Sequence, residues 1–355
     1  MKSIVLTGGG TSGHVTPNIA LLPGLREKGW TISYIGSRNG IEKQLIENEG
    51  IPYHSINTGK LRRYFDLRNF TDIFRVADGL RQALMLLYKL KPDIVFSKGG
   101  FVSCPVVWAA WLKNIPVIIH ESDMTPGLTN KLSIPFSKKV CYTFPESKQF
   151  IPGEKAVFTG LPIRSSLLSG DRSQGKKLCD FKSAKPVVLI IGGSQGSEII
   201  NKTVRNALDE LLKTFQICHI CGRGNIKSEY SGIAGYHQFE YVNNELAHLF
   251  AASDIVVSRA GATALFEILA LKKPAVLIPL SKAASRGDQI LNAGSFEKQG
   301  FSKVLPEESL DEASLIRCIS EMHKGRDIYM DSMKNSKMGN STQIILSLLD
   351  ETRRQ

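Results

Sequence analysis

Two glycine-rich stretches, and the polar side chains that follow them, carry residue types suited to phosphate and sugar chemistry. The first is "TGGGTSGHVTPN" (7–18), behind the apolar run "SIVL", where Gly8, Gly10 and Gly13 satisfy G-x-G-x-x-G. A dinucleotide fold also wants an acidic residue about twenty positions on, at the end of the second strand, to hold the ribose hydroxyls. Here that strand ends "YIGSRNG", with Ser37 and Arg38 and no carboxylate. Arg38 could serve a 2′-phosphate, which keeps NADP open. His14 points elsewhere, because an imidazole at a helix N-terminus suits a phosphate or a reacting hydroxyl. The second stretch, "GGSQGS" (192–197), offers backbone N–H groups and a following helix dipole as an anion site. In "SRAGATALFEILA", Glu267 lies six residues past Gly261, within the first two turns of a helix. A carboxylate there is ordinarily solvated, yet it can accept from both hydroxyls of a ribose. "PLSKAASRGDQILNA" sets Arg286, Asp288 and Gln289 at another helix start, where polar groups can read sugar hydroxyls. Together these residues describe a site for a nucleoside diphosphate sugar in the second half of the chain.

The elements that must position them alternate throughout. In the first half, strands are expected at Ile4–Thr7, Thr31–Gly36, Tyr53–Ile56, Asp93–Phe96, Pro116–His120 and Val140–Phe144. Helices are expected between them, at Val15–Lys28, Ile41–Asn48, Thr71–Leu90 and Cys104–Lys113. After a polar patch at 165–185 the rhythm restarts with a strand at Pro186–Ile191, the second glycine turn, and a helix over 198–215. Further strands are expected at Gln216–Ile220, His237–Val242, Asp254–Ser258 and Ala275–Leu280. Each half thus opens with strand, glycine-rich turn and helix. Two Rossmann-like, doubly wound domains facing a cleft are expected, divided as 1–163 and 164–339. Residues 327–355 read as helical with a break near Gly339.

Composition narrows the partners. The 355 residues carry a formal charge of +12, with pI near 9.4 and mean hydropathy −0.08. That balance calls for an anionic partner, and no RNP, zinc-finger or KH pattern supports nucleic acid. Between Lys60 and Lys91 stand eight cations (Lys60, Arg62, Arg63, Arg68, Arg75, Arg81, Lys89, Lys91) against three acids (Asp66, Asp72, Asp78). Tyr64, Phe65, Phe70 and Phe74 are interleaved with them, which makes the 62–75 segment a candidate membrane-surface patch. The longest apolar run, Phe101 to Leu112, falls short of the roughly 20 residues a spanning helix needs. A strand-like run follows Met1 where a secretory apolar region would sit, and the six cysteines are scattered, so a cytoplasmic enzyme is expected. Cys218 and Cys221 form one C-x-x-C without a second ligand pair at zinc spacing.

Seven motifs occur in order along nearly the whole chain: "GGGTSGHVTPN", "SKGGFVSCPV", "HESDMTPGLTNK", "GLPIR", "GGSQGS", "SRAGATALFE" and "RGDQILNA". On these the sequence resembles the MurG family of peptidoglycan N-acetylglucosaminyltransferases, in its Gram-positive form. The resemblance implies a GT-B fold with a C-terminal helix, about 340–355, crossing back to the first domain. It implies inverting transfer of N-acetylglucosamine from UDP-GlcNAc to the 4-hydroxyl of MurNAc in lipid I, by a peripheral enzyme on the cytoplasmic face of the plasma membrane. The implied partners are UDP-GlcNAc, lipid I, anionic membrane lipids and other cell-wall synthesis proteins.

Residue by residue, Gly10, Thr11, Gly13, His14, Gly99 and Gly100 match the loops facing the acceptor diphosphate. Arg164, Ser194, Val242, Ala262, Thr263, Glu267, Asp288 and Gln289 match positions around the donor, to which Thr11, Ser12 and Gly13 are also assigned. The chain departs from the Gram-negative pattern at Asp123, where that pattern has Asn, at Leu161-Pro162, and at Asp288-Gln289. The general base is therefore open between His14 and Asp123, while His120-Glu121 reads as a structural strand end. No Asp-x-Asp is present, so no catalytic metal or other cofactor is expected. Alternatives on the same residues are a glycolipid synthase with a diacylglycerol acceptor, a UDP-GlcNAc 2-epimerase, an NADP oxidoreductase and a non-enzymatic membrane scaffold.

Overall fold

The computed structural model describes residues 2–59, 68–193, 195–282, 287–336 and 340–354, with backbone alone for 68–73. It divides into two units, Met1–Arg164 with Met338–Gln355, and Ser165–Lys337. The first unit runs β1 (Ser3–Thr7), α1 (Thr16–Glu27), β2 (Thr31–Ser37), α2 (Ile41–Asn48), β3 (Tyr53–Ile56), α3 (Arg68–Leu90), β4 (Ile94–Ser97), α4 (Ser103–Leu112), β5 (Val117–Glu121), α5 (Leu128–Ser133), β6 (Lys139–Tyr142) and β7 (Ala156–Phe158). The second runs α6 (Ser165–Leu168), α7 (Arg172–Leu178), β8 (Val187–Ile191), α8 (Glu198–Asn206), α9 (Leu208–Thr214), β9 (Gln216–Ile220), β10 (Tyr236–Phe239), α10 (Glu245–Ala252), β11 (Ile255–Ser258), α11 (Ala262–Ala270), β12 (Ala275–Leu277), α12 (Asp288–Lys298), β13 (Ser302–Val304) and α13 (Glu312–Lys334). The last helix, α14 (Ser341–Thr352), belongs to the first unit.

Both sheets are parallel. The first has the order β3-β2-β1-β4-β5-β6-β7 and the second β10-β9-β8-β11-β12-β13. In each, the chain starts at the centre, winds to one edge, returns to the centre and winds to the other. The reversal falls between β1 and β4 in one sheet and between β8 and β11 in the other. Strands covered on both faces must be apolar throughout, which is why β8 reads "VVLII" instead of alternating.

Pleating divides the buried side chains between the two faces of the first sheet. Ile4 and Leu6 pack with Leu21, Leu22 and Leu25 of α1, whereas Val5 packs with Val106, Val107 and Ala110 of α4 and with Leu87 of α3. In the second unit, Val188 and Ile190 pack with Ile200 and Val204 of α8 and with Leu315, Ile319 and Met322 of α13.

The structure departs from the sequence expectation in specific places. β7 and β13 are three residues each, too short to show a period, and were not expected. The helix expected over 198–215 is two helices that meet at Ala207. β10 ends at Phe239, so Val242 lies in the loop beyond it. The polar patch at 165–185 contains α6 and α7.

Ile345, Leu346 and Leu349 of α14 join the Leu21–Leu25 face of α1, and a methyl on Gly24 would strike the Leu346 side chain. Asp350 closes the contact with Lys2 Nζ at 2.6 Å and Lys28 Nζ at 2.9 Å. The apolar contact outweighs these exposed ion pairs. Leu349→Ala should lower unfolding stability by about 2–4 kcal/mol, and Asp350→Ala by under ~1 kcal/mol, as read from urea midpoints. Equal losses from the two would contradict this ranking.

Candidate active site

In a doubly wound sheet, loops leaving the carboxyl ends of the strands on either side of the reversal diverge and leave a crevice. In the first unit these loops are 8–15, after β1, and 98–102, after β4. They are held together backbone to backbone: Gly9 N–H donates to Gly99 O at 3.3 Å. Gly100, at φ 83°, lies so close that any Cβ would overlap the Gly9 backbone. Behind the loop, buried Asn18 donates to Thr7 O at 3.3 Å, and Tyr34 OH donates to Gly8 O at 2.7 Å. Buried Glu42, in the first turn of α2, accepts from Ser37 N at 3.1 Å, from Ser37 Oγ and from Gly10 N at 3.2 Å. The 3-10 turn Ser12–His14 then leads into α1. The N–H groups of Thr11, Ser12 and Gly13 lie at the start of this turn, where helical geometry supplies no preceding carbonyl.

A buried polar cluster lies beneath the second loop. Lys98 is 1% exposed, with Nζ 2.9 Å from His120 Nδ1 and hydrogen-bonded to Ser122 Oγ. His120 Nε2 is 2.9 Å from Gly160 O, so that nitrogen carries the proton and Nδ1 accepts from the ammonium. Burial, with Lys98 beside it, holds His120 well below the imidazole range, and the ring is neutral. Glu121 accepts from Asp123 N at 3.0 Å, Gly127 N at 3.1 Å and Asn130 Nδ2 at 2.8 Å, which shapes the loop between β5 and α5. Burial and the neighbouring Asp123 push its carboxyl upward. Desolvation brings Lys98 down to about 8, and the nearby Glu121 and Asp123 oppose that shift.

In the second unit the loops flanking the reversal follow β8 and β11. Gly196, at φ 80°, leaves no room for a Cβ against Cys221 O. Ser197 caps α8, and its hydroxyl also accepts from Arg259 Nη2 at 2.7 Å. Buried Arg259 donates further to Ile278 O at 3.2 Å and pairs with Glu307, tying the ends of β8, β11 and β12 together. Gly261 precedes α11, so Ala262 and Thr263 open that helix. Glu267, on the same helix, is 8% exposed. It is a buried carboxylate, not the solvated one that composition would suggest. Gln289 Oε1 accepts from Ala260 N at 3.3 Å and Leu280 N at 3.1 Å, which leaves its amide NH2 as the end available to a sugar.

Residues 4–142 match the glycosyltransferase family 28 N-terminal domain and residues 187–346 the family's C-terminal domain. A Clostridium kluyveri protein named UDP-N-acetylglucosamine--N-acetylmuramyl-(pentapeptide) pyrophosphoryl-undecaprenol N-acetylglucosamine transferase is 56% identical over 351 residues, spanning 99% of each chain. The chain belongs to the MurG family. The crystal structure of Acinetobacter baumannii MurG matches at TM-score 0.78 and 26% identity, over 99% of this chain and 100% of that one. UDP-GlcNAc 2-epimerase from Neisseria meningitidis matches at TM-score 0.68 and 17% identity, over 99% and 100%, and shares the fold alone. The fold is thus the GT-B class.

Family-matched residues fall into groups within each unit. Gly10 to His14, Gly99 and Gly100 meet at the first reversal. Asp123 lies half-buried in the loop after β5, next to the Lys98 cluster. Arg164 ends the first unit. Ala262, Thr263 and Glu267 share α11, while Asp288 and Gln289 open α12 and Val242 lies in the loop after β10. Ser194, Arg286, Arg62, Arg63 and Phe65 lie outside the described residues, as do the side chains of Arg68 and Phe70. Cys218 and Cys221 are buried, with thiols pushed upward by burial, a setting that disfavours thiolate chemistry. Glu42, Lys98 and Arg259 were missed from the sequence. Each looks locally like a solvated helix or loop charge, and only the position of Lys98 between an apolar strand and two glycines hinted at burial.

Between pH 8 and the ordinary lysine range, folded Lys98 binds fewer protons than the unfolded chain. Its burial cost is therefore full below pH 8 and fades as pH rises. The urea stability of the wild type relative to Lys98→Met should climb between pH 8 and pH 10. A flat difference would show that Lys98 is not buried as a strained cation.

Proposed function

We infer that this chain transfers N-acetylglucosamine from UDP-GlcNAc to the 4-hydroxyl of MurNAc in lipid I, giving lipid II, with inversion at the anomeric carbon. One observation carries the reading: each sheet presents a glycine-rich loop at its reversal point, and the buried carboxylate at the first, Glu42, is spent on Ser37 and Gly10 N–H, whereas the second has the buried Glu267 on α11. Donor binding thus falls to the second unit and acceptor binding to the first.

The buried Glu267 holds the ribose hydroxyls, Val242 meets the uracil, and the Gln289 amide donates to the sugar. By family match, Ser194, Arg164 and the start of α11 at Ala262 are assigned to the donor's diphosphate. Their N–H groups stabilise the charge that develops on UDP as it leaves.

Inversion needs one displacement, with the acceptor hydroxyl attacking opposite the leaving UDP. His14, an imidazole in the turn after the glycines, suits removal of that hydroxyl's proton. Asp123 is the other candidate base. Its neighbourhood, with Lys98 on one side and Glu121 on the other, fits a group that orients the acceptor.

Radiolabelled transfer from UDP-GlcNAc to a lipid I analogue tests these roles. His14→Ala should lower kcat by roughly 10²–10⁴-fold with the donor KM little changed. Retention of full activity would remove His14 from the mechanism. Glu267→Gln should raise the donor KM by ~10-fold or more, because a buried charge-assisted bond is lost. Transfer to diacylglycerol in place of lipid I would favour the glycolipid synthase.

Membrane docking is the second part of the proposal. Phe74 of α3 is 75% exposed and followed by Arg75, and Trp111 and Leu112 of α4 are each 52% exposed. An exposed aromatic beside a cation suits an anionic lipid surface. Sedimentation with anionic vesicles should carry the protein down at low salt and release it as salt rises. Equal sedimentation with neutral vesicles would refute the electrostatic component.

A further inference from the structure

A cavity of about 680 Å3 lies in the first unit beside the glycine loop, walled by Gly10, Arg38, Asn57, Thr58, Arg75 and Phe101 among others. No carboxylate is among its described lining residues, whereas two arginines are. Two acids stand behind the wall: Glu42, which accepts from the lining residues Gly10 and Ser37, and Asp78, which is engaged from three sides. Asn57 Nδ2 lies at 2.5 Å, Gln82 Nε2 at 2.5 Å and Arg81 Nη2 at 2.9 Å. Those hydrogen bonds, chiefly from Asn57 and Arg81, hold its carboxyl below the usual range, and Arg38 adds to the effect. The described lining therefore offers two guanidinium groups with amide and hydroxyl groups and no carboxylate oxygen, both acids behind it having their oxygens engaged.

The adjoining glycine loop is less able to take an anion at its first turn than its composition suggests. Gly9 N–H is already bonded to Gly99 O, and Gly10 N–H to the carboxylate of Glu42 at 3.2 Å. A phosphate brought to Gly10 would meet that buried carboxylate. An anion is better received one step away, by the guanidinium groups, whose fork geometry matches phosphate oxygens.

The chemistry of the acceptor says which anion. In a lipid-linked sugar pyrophosphate, the pyrophosphate lies between the reacting sugar and the lipid. The cavity wall runs from Gly10, four residues before His14, to Arg75, whose neighbour Phe74 is the exposed aromatic assigned above to the membrane. We propose that this cavity, with Arg38 and Arg75 as its cations, binds the pyrophosphate of the lipid-linked acceptor. The proposal rests on the acceptor reading above and assigns Arg38 a role that the membrane patch does not give it.

The test uses soluble short-chain acceptor analogues without vesicles, so that membrane binding does not enter. One analogue carries the stem peptide and one lacks it; both keep the pyrophosphate. Arg38→Gln should lower kcat/KM for the acceptor at least tenfold with both analogues and leave the donor KM and melting temperature unchanged. Should that variant fail to fold, Arg75→Gln gives the same readout. Loss with the peptide-bearing analogue alone would mean that a peptide carboxylate occupies the cavity, and would overturn the assignment. So would no loss with either. A wild type that transfers N-acetylglucosamine to neither analogue would overturn the acceptor reading itself, and this inference with it.

Discussion

The parallel pairing of β1 with β4, and of β8 with β11, is the constraint on which the site depends. Each pair is central to its sheet, and each marks the point where the chain's winding reverses. Parallel strands present the same ends on the same edge, so the loops that leave β1 and β4 emerge side by side. With no intervening helix to separate them, their backbones come into contact, as Gly9 and Gly99 do. Side chains would hold such loops apart. Gly100 against Gly9, and in the second unit Gly196 against Cys221 after β9, are therefore requirements of packing before they are requirements of ligand binding.

Charge placement distinguishes the two reversal points. In the second unit a single buried arginine, Arg259, braces three strand ends and is neutralised by Glu307. The loop there is braced without adding a net negative charge. In the first unit the bracing group at the glycine loop is a carboxylate, Glu42, and the cations lie to one side, in the cavity, or beneath, at Lys98. A phosphate and a sugar hydroxyl can be directed to different parts of this crevice by that pattern alone. The cost is a lysine and a carboxylate, Lys98 and Glu121, held in a buried cluster, which stays tolerable because each has a hydrogen-bonding partner.

The fold does not select the reaction. A UDP-GlcNAc 2-epimerase shares this architecture at TM-score 0.68 with 17% identity. In this chain the first unit is furnished with a histidine in the turn after the glycines, a cavity lined by two arginines, and exposed aromatics on α3 and α4, which the transfer proposed above assigns to the acceptor side.

Sequence alone determined the alternation of strands and helices, the two glycine turns and the family, because these depend on local pattern and on motif order. Most strand positions were legible for the same reason; β7 and β13 were not, since three residues carry no period. Tertiary structure decided which charges are buried. Glu267 reads locally as a surface helix residue and Lys98 as a loop cation, and both are enclosed only because distant segments cover them. It also decided that α14, expected to return to the first domain, packs on α1, and that Glu42 reaches Gly10 across 32 residues. Burial and long-range hydrogen bonding are properties of the packed chain, and no spacing along the sequence encodes them.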